Sequence, residues 1–117
     1  MPQVSIAQNA LLELRERMAK YQSPTGILIM GPMEENSLAP DSIEEAWMLE
    51  RLYGPPQRWI LDILPLEEIT QVPDESREMF YSQDIDGLHI TILTNKTVEQ
   101  LRIELHGDSI RVFEPDA

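Results

Sequence analysis

Apolar and polar residues alternate along the last third of the chain. The clearest example lies near the C-terminus, on both sides of a short turn that contains glycine. Residues 101–105 and 110–113 alternate in this way and are joined through His106-Gly107-Asp108-Ser109. Glycine in the first position of a two-residue loop is typical of a type II′ hairpin. The predicted cross-strand pairs are Leu105 with Ile110, Glu104 with Arg111, and Ile103 with Val112.

A second hairpin is predicted just before the first, with its turn at Asp86-Gly87. This dipeptide is typical of a type I′ turn, which pairs Ile85 with Leu88, Asp84 with His89, and Tyr81 with Ile92. Together the hairpins predict an antiparallel meander with one buried face. That face would carry Ile85, Leu88, Ile90, Ile92, Leu101, Ile103, Leu105, Ile110 and Val112.

Helical periodicity appears near the N-terminus. Ser5 and Gln8 have the spacing of a capping box, and an apolar stripe follows at Ala7, Ala10, Leu11, Leu14 and Met18. Glu13 precedes Arg17 by four residues, which favours an ion pair on the outer face. The pattern predicts a helix that ends before Ser23-Pro24-Thr25-Gly26.

The middle of the chain predicts two further strands and a second helix. Residues 27–30 form a wholly apolar run typical of a buried strand, and residues 58–64 form another. Between them, Ser42 with Glu45 caps a helix through Trp47 that ends at Gly54-Pro55. Residues 65–73 are predicted to form a connection that contains a helical turn. We predict one α+β domain over residues 1–117, a mostly antiparallel meander with an N-terminal helix and an inserted second helix.

Composition restricts the chemistry. The chain has no cysteine, which excludes disulfides, thiolate catalysis and cysteine-ligated metals, and it has a formal net charge of -12. No signal peptide or membrane span is apparent, so we expect a cytoplasmic protein that does not enter membranes.

Several stretches, taken in order, resemble one known family. They are residues 5–14, the strand Thr25-Gly-Ile-Leu-Ile-Met-Gly31, residues 59–63, Asp86-Gly-Leu-His-Ile-Thr-Ile92 and Phe113-Glu-Pro-Asp-Ala117. In this order they resemble the HesB-like domain of the A-type iron-sulphur carriers. The last stretch is similar to that family's Phe-x-Asn-Pro-Asn-Ala. Residues 32–57 would then be an insertion.

The resemblance implies the fold but departs from the family's chemistry. In the family one cysteine follows the first core strand and a Cys-Gly-Cys follows the closing strand. Here the first position falls within Gly31-Pro-Met-Glu-Glu-Asn36, and the second would begin near Ala117. No thiol ligand is present, so we expect no cluster, no cofactor, no metal and no catalytic residue inherited from the family.

Other residues offer weaker signals for chemistry. His89 and His106 are too few for a histidine zinc site. Asp84 beside His89 is either a pH-sensitive pair or, as we favour, a solvated cross-strand pair. Asp84-Ile85-Asp86-Gly87 has the start of a calcium loop, but its glycine comes too early, which favours a turn. The carboxylate pairs Glu34-Glu35, Glu44-Glu45 and Glu67-Glu68 are predicted to be solvated.

Charge indicates a class of partner. Residues 21–50 hold no lysine or arginine and would repel nucleic acid and anionic membranes, whereas a basic protein surface would be attracted. Trp47 and Trp59 are predicted core residues, although tryptophan is also common at binding hot spots. The residues we select for an interaction are Glu34, Glu35, Asp41, Glu44, Glu45, Trp47 and Glu50.

Three classes of function remain open. The favoured one is a non-enzymatic, cluster-free HesB-like domain that binds another protein, with the insertion as its contact region. The second is an acidic mimic of nucleic acid that inhibits a basic protein. The third is a carboxylate-based ligand binder or enzyme that uses His89. An acidic surface that only maintains solubility is the alternative to the first two.

Overall fold

The computed structural model describes residues 2–32, 44, 59–70 and 79–115. These residues contain seven strands and two helices. In chain order they are β1 Gln3–Ile6, α1 Gln8–Met18, β2 Thr25–Gly31, β3 Ile60–Pro65, α2 Leu66–Thr70, β4 Met79–Ile85, β5 Leu88–Thr94, β6 Gln100–His106 and β7 Ser109–Phe113. The α+β class is confirmed, and no helix in the described ranges is long and apolar enough to cross a membrane.

Both predicted hairpins are confirmed with the predicted register. The β4–β5 hairpin pairs Ile85 with Leu88, and the β6–β7 hairpin pairs Leu105 with Ile110. Asp86 and Gly87 have φ of 51° and 82°, as a type I′ turn requires, and Gly107 has φ of 63° at the first loop position of a type II′ turn. The Asp86-Gly87 sequence therefore forms a turn and does not begin a calcium loop.

The hairpins do not form one meander, and on this point the prediction was wrong. A four-stranded sheet has the order β3-β2-β5-β4, and a three-stranded sheet has the order β1-β6-β7. The pairings β2–β5 and β1–β6 are parallel. Each hairpin therefore extends a different sheet, because its second neighbour comes from a distant part of the chain.

The main core lies between the two sheets and α1. The inner face of the four-stranded sheet contributes Ile27, Ile29, Ile90 and Ile92, and β6 contributes Leu101 and Ile103. All six are completely buried. Burying a side chain of this size contributes roughly 1.5–3 kcal/mol, so this layer is the principal source of stability.

The four-stranded sheet is also covered on its outer face, which corrects the prediction of a single buried face. Leu28, Thr91 and Leu93 point outward from the central strands and are buried. The helix α2 packs here through Ile69, which is 1% exposed. At Gly26 a Cβ atom would lie 2.7 Å from Ile69 Cδ1, so glycine permits this close approach of α2 to β2.

Helix α1 begins at Gln8, and its predicted capping box is wrong. Ser5 lies in β1, paired with Arg102, and the N-cap residue is Ala7, which makes no side-chain cap. The Ala7 N–H donates to the Ile103 carbonyl, so the start of the helix is held by β6. The apolar stripe is confirmed: Ala10, Leu11 and Leu14 are buried, and Ala7 and Met18 pack against the core.

The remaining predictions for the middle of the chain are confirmed where the structure describes them. The apolar run at 27–30 lies in β2, the run at 58–64 corresponds to β3, and α2 is the helical turn within 65–73. Glu44 is helical and exposed, as the second helix requires. The other residues of the predicted second helix, and the insertion at 32–57 apart from Pro32 and Glu44, lie outside the described residues.

Candidate functional site

The predicted interaction segment lies almost entirely outside the described residues. Of the seven residues chosen there, the structure describes only Glu44, which is exposed. Glu34, Glu35, Asp41, Glu45, Trp47 and Glu50 are not described. This segment enters at Gly31 and leaves at Trp59, which fixes both its ends at the same end of the four-stranded sheet because Met30 pairs with Ile60.

A buried tryptophan marks that end of the sheet. Trp59 is 2% exposed, which confirms its prediction as a core residue, and its Nε1 donates to Glu114 Oε1 at 3.2 Å. Lys96 Nζ lies 2.9 Å from the same Oε1 and donates to Oε2 of this carboxylate at 3.0 Å. The segment after β7 is therefore fixed beside the end of β2, because one carboxylate satisfies both donors.

The most organised polar group in the described residues lies on the β4–β5 hairpin. Ser82 and Asp84 of β4 pair with Thr91 and His89 of β5, respectively. Because side chains alternate along a strand, all four point from the outer face of the sheet. We call these four residues the His89 cluster.

His89 is the centre of the cluster. Its Nδ1 lies 3.1 Å from Asp84 Oδ1, and its Nε2 lies 3.1 Å from Ser82 Oγ and 3.4 Å from Thr91 Oγ1. One neutral tautomer satisfies the two shorter contacts: Nδ1–H donates to Asp84, and Nε2 accepts from the Ser82 hydroxyl. The order of serine, imidazole and carboxylate is that of a nucleophile, a general base and the group that orients the base.

Exposure limits what this arrangement can do. The Asp84 side chain is 78% exposed and that of His89 is 33% exposed. A solvated carboxylate holds an imidazole only weakly, since water competes for the same hydrogen bonds. The geometry thus agrees with the favoured prediction of a solvated cross-strand pair, to which the structure adds Ser82 and Thr91.

Cationic side chains in the described residues are mostly bonded to acceptors within the chain. Arg15 and Arg17 of α1 donate to the carbonyls of Asp86 and Asp108, at 2.8 Å and 2.6 Å. Arg17 also forms the predicted ion pair with Glu13, at 2.9 Å. Helix α1 is thereby bonded to the turns of both hairpins. Arg17 is paired with a carboxylate, whereas the carbonyl bonded to Arg15 is neutral and leaves the charge of that guanidinium group in place.

The remaining cationic side chains that form ion pairs also bond to carboxylates within the chain. Arg102 bonds Glu104 at 3.0 Å, and His106 approaches the same carboxylate at 3.2 Å. In contrast, several exposed carboxylates have no ion-pair partner among the described residues. They include Glu16, Asp62, Glu68 and Glu99. The predicted solvation of the pair Glu67-Glu68 is confirmed, since both residues are exposed.

An open groove of about 530 Å³ lies between the C-terminal end of α1 and β3. It is lined by Arg17, Lys20, Tyr21, Leu61, Asp62 and Ile63. The charges of Arg17 and Lys20 are opposed by Asp62 and by the Glu13 carboxylate that bonds Arg17. With this balance of charge the groove selects no particular class of ligand.

Sequence reasoning identified part of the candidate site and missed part. It predicted the Asp84–His89 pair from the turn, and the same register places Ser82 two residues before Asp84 on the same face. Ser82 could therefore have been found from the alternation of the strand. The bonds from Arg15 and Arg17 to the turns could not, because they depend on how α1 packs across the sheets.

The described residues contain no group of three or more histidine, aspartate or glutamate side chains that could hold a metal ion. Comparisons of this chain with protein-family models, with curated proteins and with solved structures gave no match.

Proposed function

We propose that this protein is a non-enzymatic, cluster-free HesB-like domain of the cytoplasm that binds another protein through an anionic surface. The observation that carries the proposal is the distribution of charge. In the described ranges Arg17, Lys96 and Arg102 are paired with carboxylates, whereas Glu16 and Glu99 are exposed without an ion-pair partner. A basic protein surface is the partner that such a field attracts.

The HesB-like part of the proposal is supported by where two chain segments meet. The family's ligands follow its first core strand and its closing strand. Here the corresponding positions follow Gly31 and Glu114, and the contact between Trp59 and Glu114 brings them to the same end of the fold. Neither position has a thiol, because the chain contains no cysteine.

The contact region we propose is the insertion at 32–57. It contains the acidic residues selected from the sequence, and it has no basic residue before Arg51. The residues that flank it, Gly31 and Trp59, lie at the same end of the four-stranded sheet, because Met30 pairs with Ile60. Electrostatic attraction of this kind accelerates association and weakens as salt screens it.

A pair of charge-matched variants tests the proposal. One replaces Glu34, Glu35, Glu44 and Glu45 by glutamine, and the control replaces Glu16, Asp62, Glu68 and Glu99 by their amides. Each removes four negative charges. In quantitative affinity capture from lysate, we expect the first variant to lose the specific partner proteins. The control should retain them with a smaller, general weakening, because it lowers the net charge equally but leaves the contact region unchanged. Unchanged capture by the first variant, or by deletion of 33–53, would refute the contact region.

The same anionic surface favours a second candidate, a nucleic-acid mimic that inhibits a basic protein. A mimic would occupy the nucleic-acid-binding surface of its partner, whereas a protein-binding domain would occupy a different basic surface. If the protein is a mimic, duplex DNA or RNA should displace it from captured partners, and capture should fall steeply with ionic strength. Partners that remain bound in the presence of excess nucleic acid would exclude the mimic.

The His89 cluster favours a third candidate, an esterase. Ser82 Oγ would attack the ester carbonyl carbon while His89 Nε2 accepts the serine proton and passes it to the departing alcohol oxygen. Water would then hydrolyse the acyl-serine in the same way. We rank it below protein binding because Asp84 is 78% exposed.

A serine-specific experiment tests this third candidate, because surface histidines hydrolyse activated esters without help. An esterase should incorporate a fluorophosphonate at Ser82 and lose p-nitrophenyl acetate hydrolysis in Ser82→Ala, but not in the control Ser109→Ala. Equal rates in these two variants and the wild type would exclude it.

A further inference from the structure

Among the described strands, β4 forms an edge of the four-stranded sheet. This strand is last in the order β3-β2-β5-β4 and has seven residues. A type I′ turn makes Ile85 and Leu88 a hydrogen-bonded pair, and hydrogen-bonded pairs recur at every second residue. The N–H and C=O groups of Gln83 and Tyr81 therefore point toward β5, whereas those of Ser82 and Asp84 point away from it.

The outward groups of Ser82 and Asp84 have no backbone partner among the described residues. Both residues are exposed. Unpaired backbone N–H and C=O groups that point outward from an edge strand are a ready template for another strand. This edge therefore offers two donors and two acceptors at the spacing that an added strand needs.

β4 also lacks three of the features that commonly protect such an edge, namely a basic residue, a proline and a β-bulge. It contains no lysine, arginine or proline, and its pairing with β5 runs without a bulge from Met79 to Ile85. Natural edge strands are commonly blocked by one of these features. The one charged residue of β4 is Asp84, whose side chain is 78% exposed.

Charge determines which strand would fit. A second copy of this chain would bring together two molecules that each carry a formal charge of -12. Its own Asp84 would be added to the same interface. A strand that carries lysine or arginine would instead place cations beside Asp84. The contact with His89 uses Asp84 Oδ1, so the second carboxylate oxygen can accept a hydrogen bond from such a cation. The charge of the chain thus favours a basic occupant over a second copy.

We propose that β4 accepts an extended basic segment of a partner protein as an added strand, with Asp84 reading a basic side chain. The inference rests on the proposed function, since it adds a second contact for the same basic partner, at the β4 edge and separate from the insertion at 32–57. Backbone bonds to Ser82 and Asp84 would provide affinity that is independent of side chains, and the His89 cluster would border the added strand.

Two peptides of equal length and hydrophobicity test the inference. One alternates lysine with valine and the other alternates glutamate with valine. We expect binding of the labelled lysine peptide at low salt, measured by fluorescence anisotropy, and none of the glutamate peptide. Asp84→Lys should weaken binding by roughly threefold to tenfold, as the loss and reversal of an exposed ion pair implies.

Amide hydrogen exchange distinguishes an added strand from attraction by charge alone. The peptide should slow exchange at the Ser82 and Asp84 amides in the full-length protein, while Gln83 is already protected by β5. Ser82→Pro removes one outward donor at an edge position where proline is tolerated, and it should weaken binding roughly twofold to tenfold.

Each outcome decides a different point. Peptide binding without protection at Ser82 and Asp84 would overturn the added strand and leave the anionic surface as a site for basic partners. Absence of binding at low salt would contradict both proposals. A dimer in analytical ultracentrifugation whose Ser82 and Asp84 amides are protected without peptide would show that a second copy occupies the edge, and it would overturn the basic occupant.

Discussion

At the scale of single residues, Gly26 controls how closely α2 packs on the sheet. A Cβ added there would lie 2.7 Å from Ile69 Cδ1, 2.9 Å from Leu66 Cδ2 and 3.2 Å from the His89 carbonyl oxygen. The methyl groups of Ile69 and Leu66 could move to make room. The His89 carbonyl could not, because it belongs to a strand that is paired on both sides. Overpacking of this kind typically costs about 1–3 kcal/mol.

We therefore predict that Gly26→Ala lowers the free energy of unfolding by about 1–3 kcal/mol in urea titration. Ile69→Val removes Cδ1, the atom in closest contact, so it should cost less in the Gly26→Ala background than in the wild type. Gly87→Ala is the comparison for backbone effects, because nothing lies within 4 Å of its added Cβ while its φ is +82°. Additive effects of Gly26→Ala and Ile69→Val would contradict the packing argument.

At the scale of elements, two arginines connect α1 to the turns of both hairpins. Arg15 donates to the Asp86 carbonyl, and Arg17 donates to the Asp108 carbonyl and to the Glu13 carboxylate. The two turns belong to different sheets. The helix therefore joins the sheets at this end through hydrogen bonds in addition to its apolar stripe.

Removing either arginine should destabilise the protein modestly. We predict that Arg15→Ala and Arg17→Ala each cost about 0.5–1.5 kcal/mol, since these bonds are exposed and each replaces a bond to water. Lysine at either position should recover only part of the loss, because it lacks the forked geometry of the guanidinium group. Thermal unfolding measures the effect, and Lys20→Ala is the control, because Lys20 has no side-chain hydrogen bond among the described residues. Equal effects at all three positions would argue against the two turn contacts.

Elements whose partners are adjacent in sequence were predictable. The turns at Asp86-Gly87 and Gly107-Asp108 fix the register of each hairpin, because turn type and loop length determine which residues face each other. The same local logic placed Asp84 beside His89. Elements whose partners are distant were not predictable, since no local signal shows that β5 pairs with β2, or that β6 pairs with β1.

The wrong capping box has the same origin. Ser5 and Gln8 have the correct spacing for a cap, but β1 pairs in parallel with β6, and Ser5 is held opposite Arg102. The backbone bonds from Gln3 to Glu99 and from Ala7 to Ile103 fix the chain on both sides of Ser5. Tertiary pairing thereby overrides the local preference for a cap. The edge position of β4 among the described strands was not predictable for a similar reason. It depends on which distant strands join the sheet and on which side they join.

At the scale of the whole molecule, like charges must repel one another in the folded state. The formal net charge is -12, and most cations in the described ranges are bonded to acceptors within the chain. Compaction brings the remaining carboxylates closer together than they are in the unfolded chain. Self-repulsion of this kind destabilises the compact state, and salt screens it over about 10 Å at 0.1 M ionic strength.

We predict that the melting temperature rises as NaCl is increased from 10 mM to 500 mM, because screening relieves more repulsion in the folded state than in the unfolded state. For a chain of this size, each 1 kcal/mol recovered corresponds to roughly 4 °C. The matched variant carries Glu44→Lys and Glu99→Lys at two exposed positions, which changes the net charge from -12 to -8. It should melt higher than the wild type at 10 mM NaCl and gain less from added salt. A salt increment in the variant that equals that of the wild type would show that the rise comes from specific ion binding or hydration, and not from the net charge that we propose attracts the partner.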